Sequence, residues 1–107
     1  MKALLILVFC AASTCRAQSR VQTTPTEAAY YVAAYAKHYR VPIALVRVIV
    51  ERESSWQPCA VSPKGAVGLM QLMPLTAEKL GVADRCNLDQ NVSGGVRYVA
   101  WLVCLKH

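Results

Sequence analysis

The chain has 107 residues, which leaves room for one small domain and excludes a second domain within this sequence. It carries 12 Lys and Arg residues against 6 Asp and Glu residues, a net charge of +6. A basic surface of this kind suits nucleic acid, anionic lipid or the bacterial envelope, but it also serves simple solubility, so charge alone selects no partner.

The first residues have the three-part layout of a secretory signal peptide. Lys2 precedes an apolar run over residues 3–12, small residues follow the run, and Ala17 offers a plausible cleavage site. The run is too short to span a bilayer, which takes about 20 apolar residues. We therefore predict a cleavable signal peptide over residues 1–17, export of the chain, and no stable membrane insertion after cleavage. A lipid anchor on Cys15 is the weaker alternative, because the two residues before it fit the lipid-acceptor pattern poorly.

Export reduces the number of partners that the positive charge can indicate. Removal of the leader takes away Lys2 and Arg16, and the mature chain then has 10 basic and 6 acidic residues, a net charge of +4. Nucleic acid becomes the least expected partner of an exported protein. A cationic membrane-active peptide stays open as an alternative, because a basic chain with apolar helices can bind anionic lipid.

The mature sequence predicts an all-α domain over residues 24–107. Polar residues 18–23 are expected to be flexible. Thr24 is then typical of a helix N-cap, with a proline at the first helical position and Glu27 closing a capping box. Helical periodicity continues from there to Tyr39, and no strand pattern or repeat interrupts the rest of the sequence.

A second helix over residues 42–54 is the clearest element of the sequence. Its apolar face carries Val46 and Val50, and Glu53 extends the same face. Glu51 lies about 200° around the helix axis from Glu53 and is expected to face solvent.

A loop and two further helices complete the predicted domain. Prolines and glycines in residues 56–68 indicate a loop, and a short helix over residues 74–80 is stopped by Gly81. The last helix begins near Asn87 and carries an apolar stripe to the end of the chain. The Gly94-Gly95 pair inside it costs about 1 kcal/mol per glycine relative to alanine, which indicates close packing.

Three cysteines lie beyond the leader, namely Cys59, Cys86 and Cys104. Thiols outside the cytoplasm tend to pair, and a bond between Cys59 and Cys86 would close a loop of about 28 residues, worth roughly 3–4 kcal/mol. We take this pair as the candidate disulfide, with Cys104 left over. A zinc site formed with His38 or His107 is disfavoured, because the sequence has no close ligand pair such as C-x-x-C.

Glu53 is unusual because a charged residue extends an apolar helical face. Its apolar neighbours are expected to be Ile49, Val50, Trp56, Leu69 and Met70. Desolvation by such neighbours keeps a carboxyl protonated near neutral pH, which general-acid cleavage of a glycosidic bond requires. The plainer interpretation is a solvated glutamate near a helix end, and periodicity alone favours it.

The sequence around Glu53 carries a longer pattern. It consists of Glu53-Ser54-Ser55-Trp56, the stretch AVSPKGAVGLMQLMP over residues 60–74, and Thr76-Ala77, followed by Asn91, Gly95, Arg97 and Tyr98. This pattern closely resembles the soluble lytic transglycosylase (SLT) domain family. Members of that family have a Glu-Ser pair, a Ser-x-x-Gly-Ala turn and a Gly-Leu-Met-Gln-x-Met-Pro-x-Thr-Ala stretch. The resemblance covers about residues 42–103.

The resemblance implies a lysozyme-like helical fold and a peptidoglycan substrate. In this family the matching glutamate, here Glu53, protonates the leaving oxygen of the β-1,4 bond between N-acetylmuramic acid (MurNAc) and N-acetylglucosamine (GlcNAc). It then takes the proton from the muramoyl 6-hydroxyl, so that the product is a 1,6-anhydro sugar and no water is consumed. A single carboxylate agrees with this chemistry, whereas ordinary glycosidases generally use two.

Four further positions are implied as substrate-binding by the same resemblance: Ser54, Met70, Gln71 and Tyr98. Each has a structural alternative, which is a helix-end hydrogen bond for Ser54 and core packing for Met70 and Tyr98. The Gln71 amide can both donate to and accept from an acetamido group. Ser62 and Gly65 are expected to shape a turn rather than to touch a ligand.

The chain departs from the family pattern near its end. Family domains continue beyond the point matched by His107, with an Ala-Tyr-Asn segment and a closing helix, so we predict an SLT domain that is truncated at its C-terminus. The expected location is periplasmic or secreted, at the cell wall, and no metal or organic cofactor is indicated. The alternative function is a non-catalytic module that binds peptidoglycan or another partner. The oligomeric state is not predicted.

Overall fold

The computed structural model describes residues 23–105, with side chains from Thr26 onward. The predicted signal peptide over residues 1–17 lies outside the described residues. So do residues 18–22 of the segment predicted to be flexible, and the last two residues of the chain.

The described part of the chain is helical. Its helices are α1 (Thr23–His38), α2 (Ile43–Ser54), α3 (Pro74–Leu80) and α4 (Leu88–Leu105). The loop between α2 and α3 adds two isolated antiparallel bridges, Val61 with Val67 and Val67 with Leu72, and residues 23–105 contain no longer strand. The prediction of an all-α fold is confirmed.

Local signals set the ends of the last two helices where the sequence predicts them. Pro74 stands in the first turn of α3, and Gly81 ends this helix in a left-handed conformation with φ 73°. The side-chain oxygen of Asn87 accepts a hydrogen bond of 2.9 Å from the backbone N–H of Gln90, which caps the start of α4.

The first helix differs slightly from the prediction. It begins at Thr23, so Thr24 lies inside its first turn instead of capping it, and it ends at His38, one residue before the predicted end. The proline in this turn is tolerated because the first N–H groups of a helix have no intrahelical partner. The buried face of α1 has a spacing of four residues, Ala28, Val32 and Ala36.

A polar contact joins α1 to α4 beside the core. The Tyr35 hydroxyl donates a hydrogen bond to the carboxylate of Asp89. This hydrogen bond, together with desolvation, raises the pKa of Tyr35 above its ordinary value. On the same side of α1 the ring of Tyr35 stacks between those of Tyr31 and Tyr39, with centroids 6.5 and 6.2 Å away.

One core fills the space between α1, α2, α4 and the loop that precedes α3. It consists of Ala28, Val32, Ala36, Val41, Val46, Val50, Leu69, Met70, Val92 and Val96. The loop residues Leu69 and Met70 enter this core, so the loop is held by hydrophobic burial as well as by hydrogen bonds.

The apolar stripe of α4 is buried only along its first half. Val99 and Ala100 still pack against the core, but Leu102 and Val103 are 40% and 37% exposed. The last part of the apolar stripe is exposed because the core contacts of α4 end at Ala100. None of the described helices has the length and apolar character needed to cross a membrane.

Gly95 allows α4 to approach the loop closely. A Cβ atom added at this position would lie 2.5 Å from the sulfur of Met70, which is far inside van der Waals contact. The predicted close packing at the glycine pair is confirmed for this residue.

We expect Gly95→Ala to lower the free energy of unfolding by about 1–3 kcal/mol in urea denaturation, because the new methyl group overpacks the contact with Met70. This loss should occur although alanine favours the helix by about 1 kcal/mol. In a Met70→Ala background the same substitution should cost much less. An equal loss in both backgrounds would show that Met70 is not the cause.

Candidate functional site

Glu53 lies beside the buried face of α2, near its C-terminal end. The buried positions of this helix are Val46, Val50 and Ser54, which are spaced by four residues. Ile49, one turn before Glu53 along the edge of this face, is half-buried, and Glu53 itself is exposed. Glu51 is also exposed, as predicted.

The predicted shelter around Glu53 is not formed by the described residues. Val50, Leu69 and Met70 were expected to cover its carboxyl group, but these side chains are themselves buried in the core. They fill the interior beneath the helix, and the carboxyl group stays in contact with solvent. The expectation of a desolvated Glu53 is therefore wrong for residues 23–105.

The backbone turns sharply just after Glu53. Ser55 and Trp56 both have left-handed conformations, with φ 50° and 64°. Such conformations cost about 1–2 kcal/mol for each non-glycine residue, and strained residues concentrate at functional sites. The half-buried Trp56 packs against the core and fixes where the chain leaves the helix.

Ser54 is held within its own helix. Its hydroxyl donates a hydrogen bond of 3.2 Å to the carbonyl oxygen of Val50, and its side chain is 7% exposed. This is the helix-end hydrogen bond considered above as the structural alternative for this residue.

The first turn of the loop is built around Ser62. Its backbone N–H donates to the carbonyl of Ala66 at 2.9 Å, its hydroxyl accepts from the N–H of Ala66 at 3.0 Å, and its carbonyl accepts from the N–H of Gly65 at 3.0 Å. The predicted turn-shaping role of Ser62 and Gly65 agrees with these contacts.

A second turn presents Gln71. Val67 and Leu72 exchange two backbone hydrogen bonds of 3.0 Å, and Gln71 between them has a left-handed φ of 54°. The two amide protons of Gln71 go to the carbonyl oxygens of Ala60 and Gly68, at 2.8 and 3.1 Å. The side-chain oxygen of this half-buried residue is then the group suited to accept from a ligand.

Met70 lies beneath the surface of this turn. Its side chain is 6% exposed and packs against Gly95, so its placement favours core packing over direct contact with a ligand. Its backbone N–H donates to the side-chain oxygen of Asn91 at 2.8 Å.

Asn91 connects the loop to α4. This fully buried side chain accepts from Met70 and donates to the carbonyl oxygens of Val67 and Arg85, at 3.1 and 2.9 Å. Gly68 lies directly against it, and a Cβ atom at that position would overlap the Asn91 amide. One buried amide thus holds both sides of the turn that carries Gln71.

Arg85 is a structural residue that the sequence analysis missed. Its guanidinium donates to the carbonyl oxygens of Gly65 and Leu72, at 2.8 and 2.9 Å, and so joins the two turns. These partners are 20 and 13 residues away along the chain, and no local sequence signal marks such a contact.

The predicted disulfide between Cys59 and Cys86 is present, with the two Cα atoms 4.6 Å apart. It links the start of the loop to the segment before α4, close to Arg85. Cys104 is a free and exposed cysteine. Within residues 23–105, no group of three or more His, Cys, Asp or Glu side chains is arranged to hold a metal ion.

Tyr98 lines a groove between α3 and α4, which we call the α3–α4 groove. Its volume is about 600 Å³, and its walls are Thr76, Lys79, Leu80, Arg97, Tyr98 and Trp101. Tyr98 is half-buried there and does not belong to the closed core.

A second groove of about 620 Å³, between α1 and α2, includes Arg47, Glu51, Arg52 and Trp56. Glu53 lines neither groove.

The sequence matches the family model of the transglycosylase SLT domain over residues 30–104. This stretch includes Glu53, both turns of the loop, Asn91 and Tyr98.

The chain is also similar to named bacterial proteins. It is 49% identical to the membrane-bound lytic murein transglycosylase F of Citrobacter koseri over 55 residues, which are 51% of this chain and 11% of that protein. It is 45% identical to the protein of that name from Salmonella typhi over 65 residues, 61% of this chain and 13% of the relative. The membrane-bound lytic murein transglycosylase F 2 of Alkalilimnicola ehrlichii is 40% identical over 73 residues, 62% of this chain and 16% of the relative. The matched segments are thus a small part of each relative.

We expect Asn91→Ala to lower the free energy of unfolding by about 2–4 kcal/mol, because three hydrogen-bond partners in the interior lose the amide. Asn87→Ala is the control on the same helix, and loss of its cap should cost about 1 kcal/mol. Urea denaturation of both variants measures the difference. Equal losses would argue against a special role for the buried amide.

We expect the double variant Cys59→Ala/Cys86→Ala to be less stable by about 3–4 kcal/mol, because its unfolded chain is no longer closed into a loop. Cys104→Ala should change stability by no more than about 0.5 kcal/mol, since this exposed thiol has no partner in the described structure. Thermal denaturation with and without reductant compares the variants. A wild-type protein indifferent to reductant would contradict the expectation.

Proposed function

The chain belongs to the transglycosylase SLT domain family, and from this membership we propose that it is a lytic transglycosylase of peptidoglycan. Its proposed reaction is non-hydrolytic cleavage of the β-1,4 bond between MurNAc and GlcNAc. The observation that carries the proposal is the placement of Glu53. Its carboxyl group is accessible near the end of α2, just before two left-handed residues and within the stretch that matches the family.

In the proposed mechanism Glu53 acts first as an acid and then as a base. Its proton goes to the bridging oxygen as the bond between this oxygen and C1 of MurNAc breaks, and GlcNAc leaves. The 6-hydroxyl of the same MurNAc then bonds to C1 and returns its proton to Glu53. The product is a 1,6-anhydro sugar, the carboxyl group is regenerated, and the protein needs no second carboxylate.

Because Glu53 is exposed, the proposed mechanism must include a way to remove water from its carboxyl group. A general acid must hold its proton until the substrate is in place, and the described residues do not exclude water from the carboxyl group. We propose that the bound glycan does so, because sugar rings lying over the end of α2 would displace the water around Glu53.

The other residues of the proposed site divide into two groups. Gln71 and Tyr98 are half-buried, and we propose them as glycan contacts, through the amide oxygen and the phenol ring respectively. Ser54 and Met70 are buried, and we propose that they support the site from below, through the helix end and the packing against α4. The proposed partner is the peptidoglycan glycan strand outside the cytoplasm, reached after removal of a signal peptide.

A second candidate function is a module that binds peptidoglycan without cleaving it. The exposed position of Glu53 favours this alternative, because the described residues do not exclude water from its carboxyl group. The two candidates differ in product formation and not in binding.

We expect the protein to release anhydro-muropeptides from purified sacculi and Glu53→Gln to abolish this release, by at least about 100-fold, since an amide cannot supply the proton. Glu51→Gln removes the same charge two residues away, on the opposite side of α2, and should stay within about twofold of the wild-type rate. Mass spectrometry of the soluble products measures both.

Three outcomes would contradict the proposal. Retention on sacculi without anhydro product would favour the binding module. Products with free reducing ends would indicate a lysozyme-like hydrolase. Liposome leakage that persists in Glu53→Gln, with no effect on sacculi, would indicate a membrane-active peptide.

A further inference from the structure

The α3–α4 groove is a concavity that Tyr98 lines and Glu53 does not. Its volume of about 600 Å³ lies within the range of small-molecule sites, about 300–1,000 Å³. One wall comes from α3 and the other from the second half of α4.

Two aromatic rings form an apolar wall of the groove. Tyr98 and Trp101 stand one turn apart on α4, with ring centroids 6.1 Å apart and planes inclined by 23°. The two rings are stacked, and Trp101 is 56% exposed, so it offers an apolar surface at the groove. A pyranose ring presents apolar C–H groups on its faces, which pack well against such a surface.

Two cations stand at the same groove. Lys79 is exposed in the last turn of α3. Arg97 donates one guanidinium N–H to the carbonyl oxygen of Leu80 at 2.5 Å, which directs its charge toward the end of α3. The acidic residue nearest in sequence, Glu78, is not among the lining residues, so both formal charges in the groove are positive.

We infer that the α3–α4 groove binds a sugar ring that carries a free carboxylate. The aromatic pair would hold the face of the sugar ring, and Lys79 and Arg97 would attract its carboxylate. The hydroxyl of Thr76, on α3, offers a further polar contact. An uncharged sugar would gain the stacking and lose the electrostatic attraction.

The identification of this sugar rests on the proposed function. The sugar of peptidoglycan that can carry a carboxylate on the ring substituent is MurNAc, through its lactyl group. Where a peptide stem is attached, that carboxyl is an uncharged amide. The groove would therefore favour glycan strands from which the stem has been removed, and an amide-hydrolysing reaction must act before this protein to supply them.

The test is a binding measurement that does not depend on turnover. The probes are N-acetylmuramic acid, its methyl ester and N-acetylglucosamine, titrated into ¹⁵N-labelled Glu53→Gln protein while the two indole N–H signals are followed by NMR. A Trp101→Phe spectrum assigns the indole signals. We expect N-acetylmuramic acid to shift the Trp101 signal and to bind about three- to tenfold more tightly than its ester, a difference that shrinks at high ionic strength.

Matched variants test separately the attraction of the carboxylate and the packing of the sugar ring on the aromatic pair. Lys79→Gln should weaken binding of N-acetylmuramic acid about threefold, while Lys37→Gln removes an exposed lysine from the last turn of α1 and should have no effect. Trp101→Ala should weaken it about tenfold, while Tyr30→Ala, which removes another exposed aromatic ring, should not. Circular dichroism melts check that all four variants fold.

Equal affinity for the acid and its ester, or a response confined to the Trp56 indole, would overturn the inference. Because the measurement uses Glu53→Gln protein, its outcome is separate from that of the sacculus assay. Binding without anhydro product in that assay would leave the groove assignment intact and reject the proposed reaction. Product formation without a Trp101 response would do the reverse.

Discussion

The site region depends on one buried amide, that of Asn91. Its side chain satisfies a backbone N–H on one side of a tight turn and a backbone carbonyl on the other, and it adds a third hydrogen bond to the segment before α4. A turn with two left-handed residues gains little from its own backbone geometry, so an outside anchor must fix it. Fully satisfied polar groups in the interior can specify a single arrangement, and here that arrangement orients Gln71.

The structure combines a firmly held loop with an accessible acid. Arg85, the disulfide and Asn91 hold the loop from three directions, whereas Glu53 has no comparable neighbours among the described residues. This division suits the proposed site, in which the frame is formed before a ligand arrives and Glu53 is covered only once the ligand is bound.

The sequence predicts the fold better than it predicts the surroundings of the site. Both ends of α3 and the start of α4 follow from Pro74, Gly81 and Asn87, because a helix cap is formed by residues next to the helix end. The exposure of Glu53 could not be predicted, because helical periodicity gives the direction of a side chain and not what lies in front of it. The apolar neighbours assigned to cover it are used by the core instead. Contacts such as that of Arg85 with Gly65 join distant parts of the chain, and no short pattern reveals them.

The disulfide makes the rigidity of the loop depend on the redox state around the chain. Thiols stay reduced in reducing compartments and pair in oxidising ones, so the bond between Cys59 and Cys86 would close only in an oxidising compartment. With the bond open, the segment that presents Gln71 would be held by its hydrogen bonds and by the burial of Leu69 and Met70. The same polypeptide would thus have a looser loop under reducing conditions and a firmer one after oxidation.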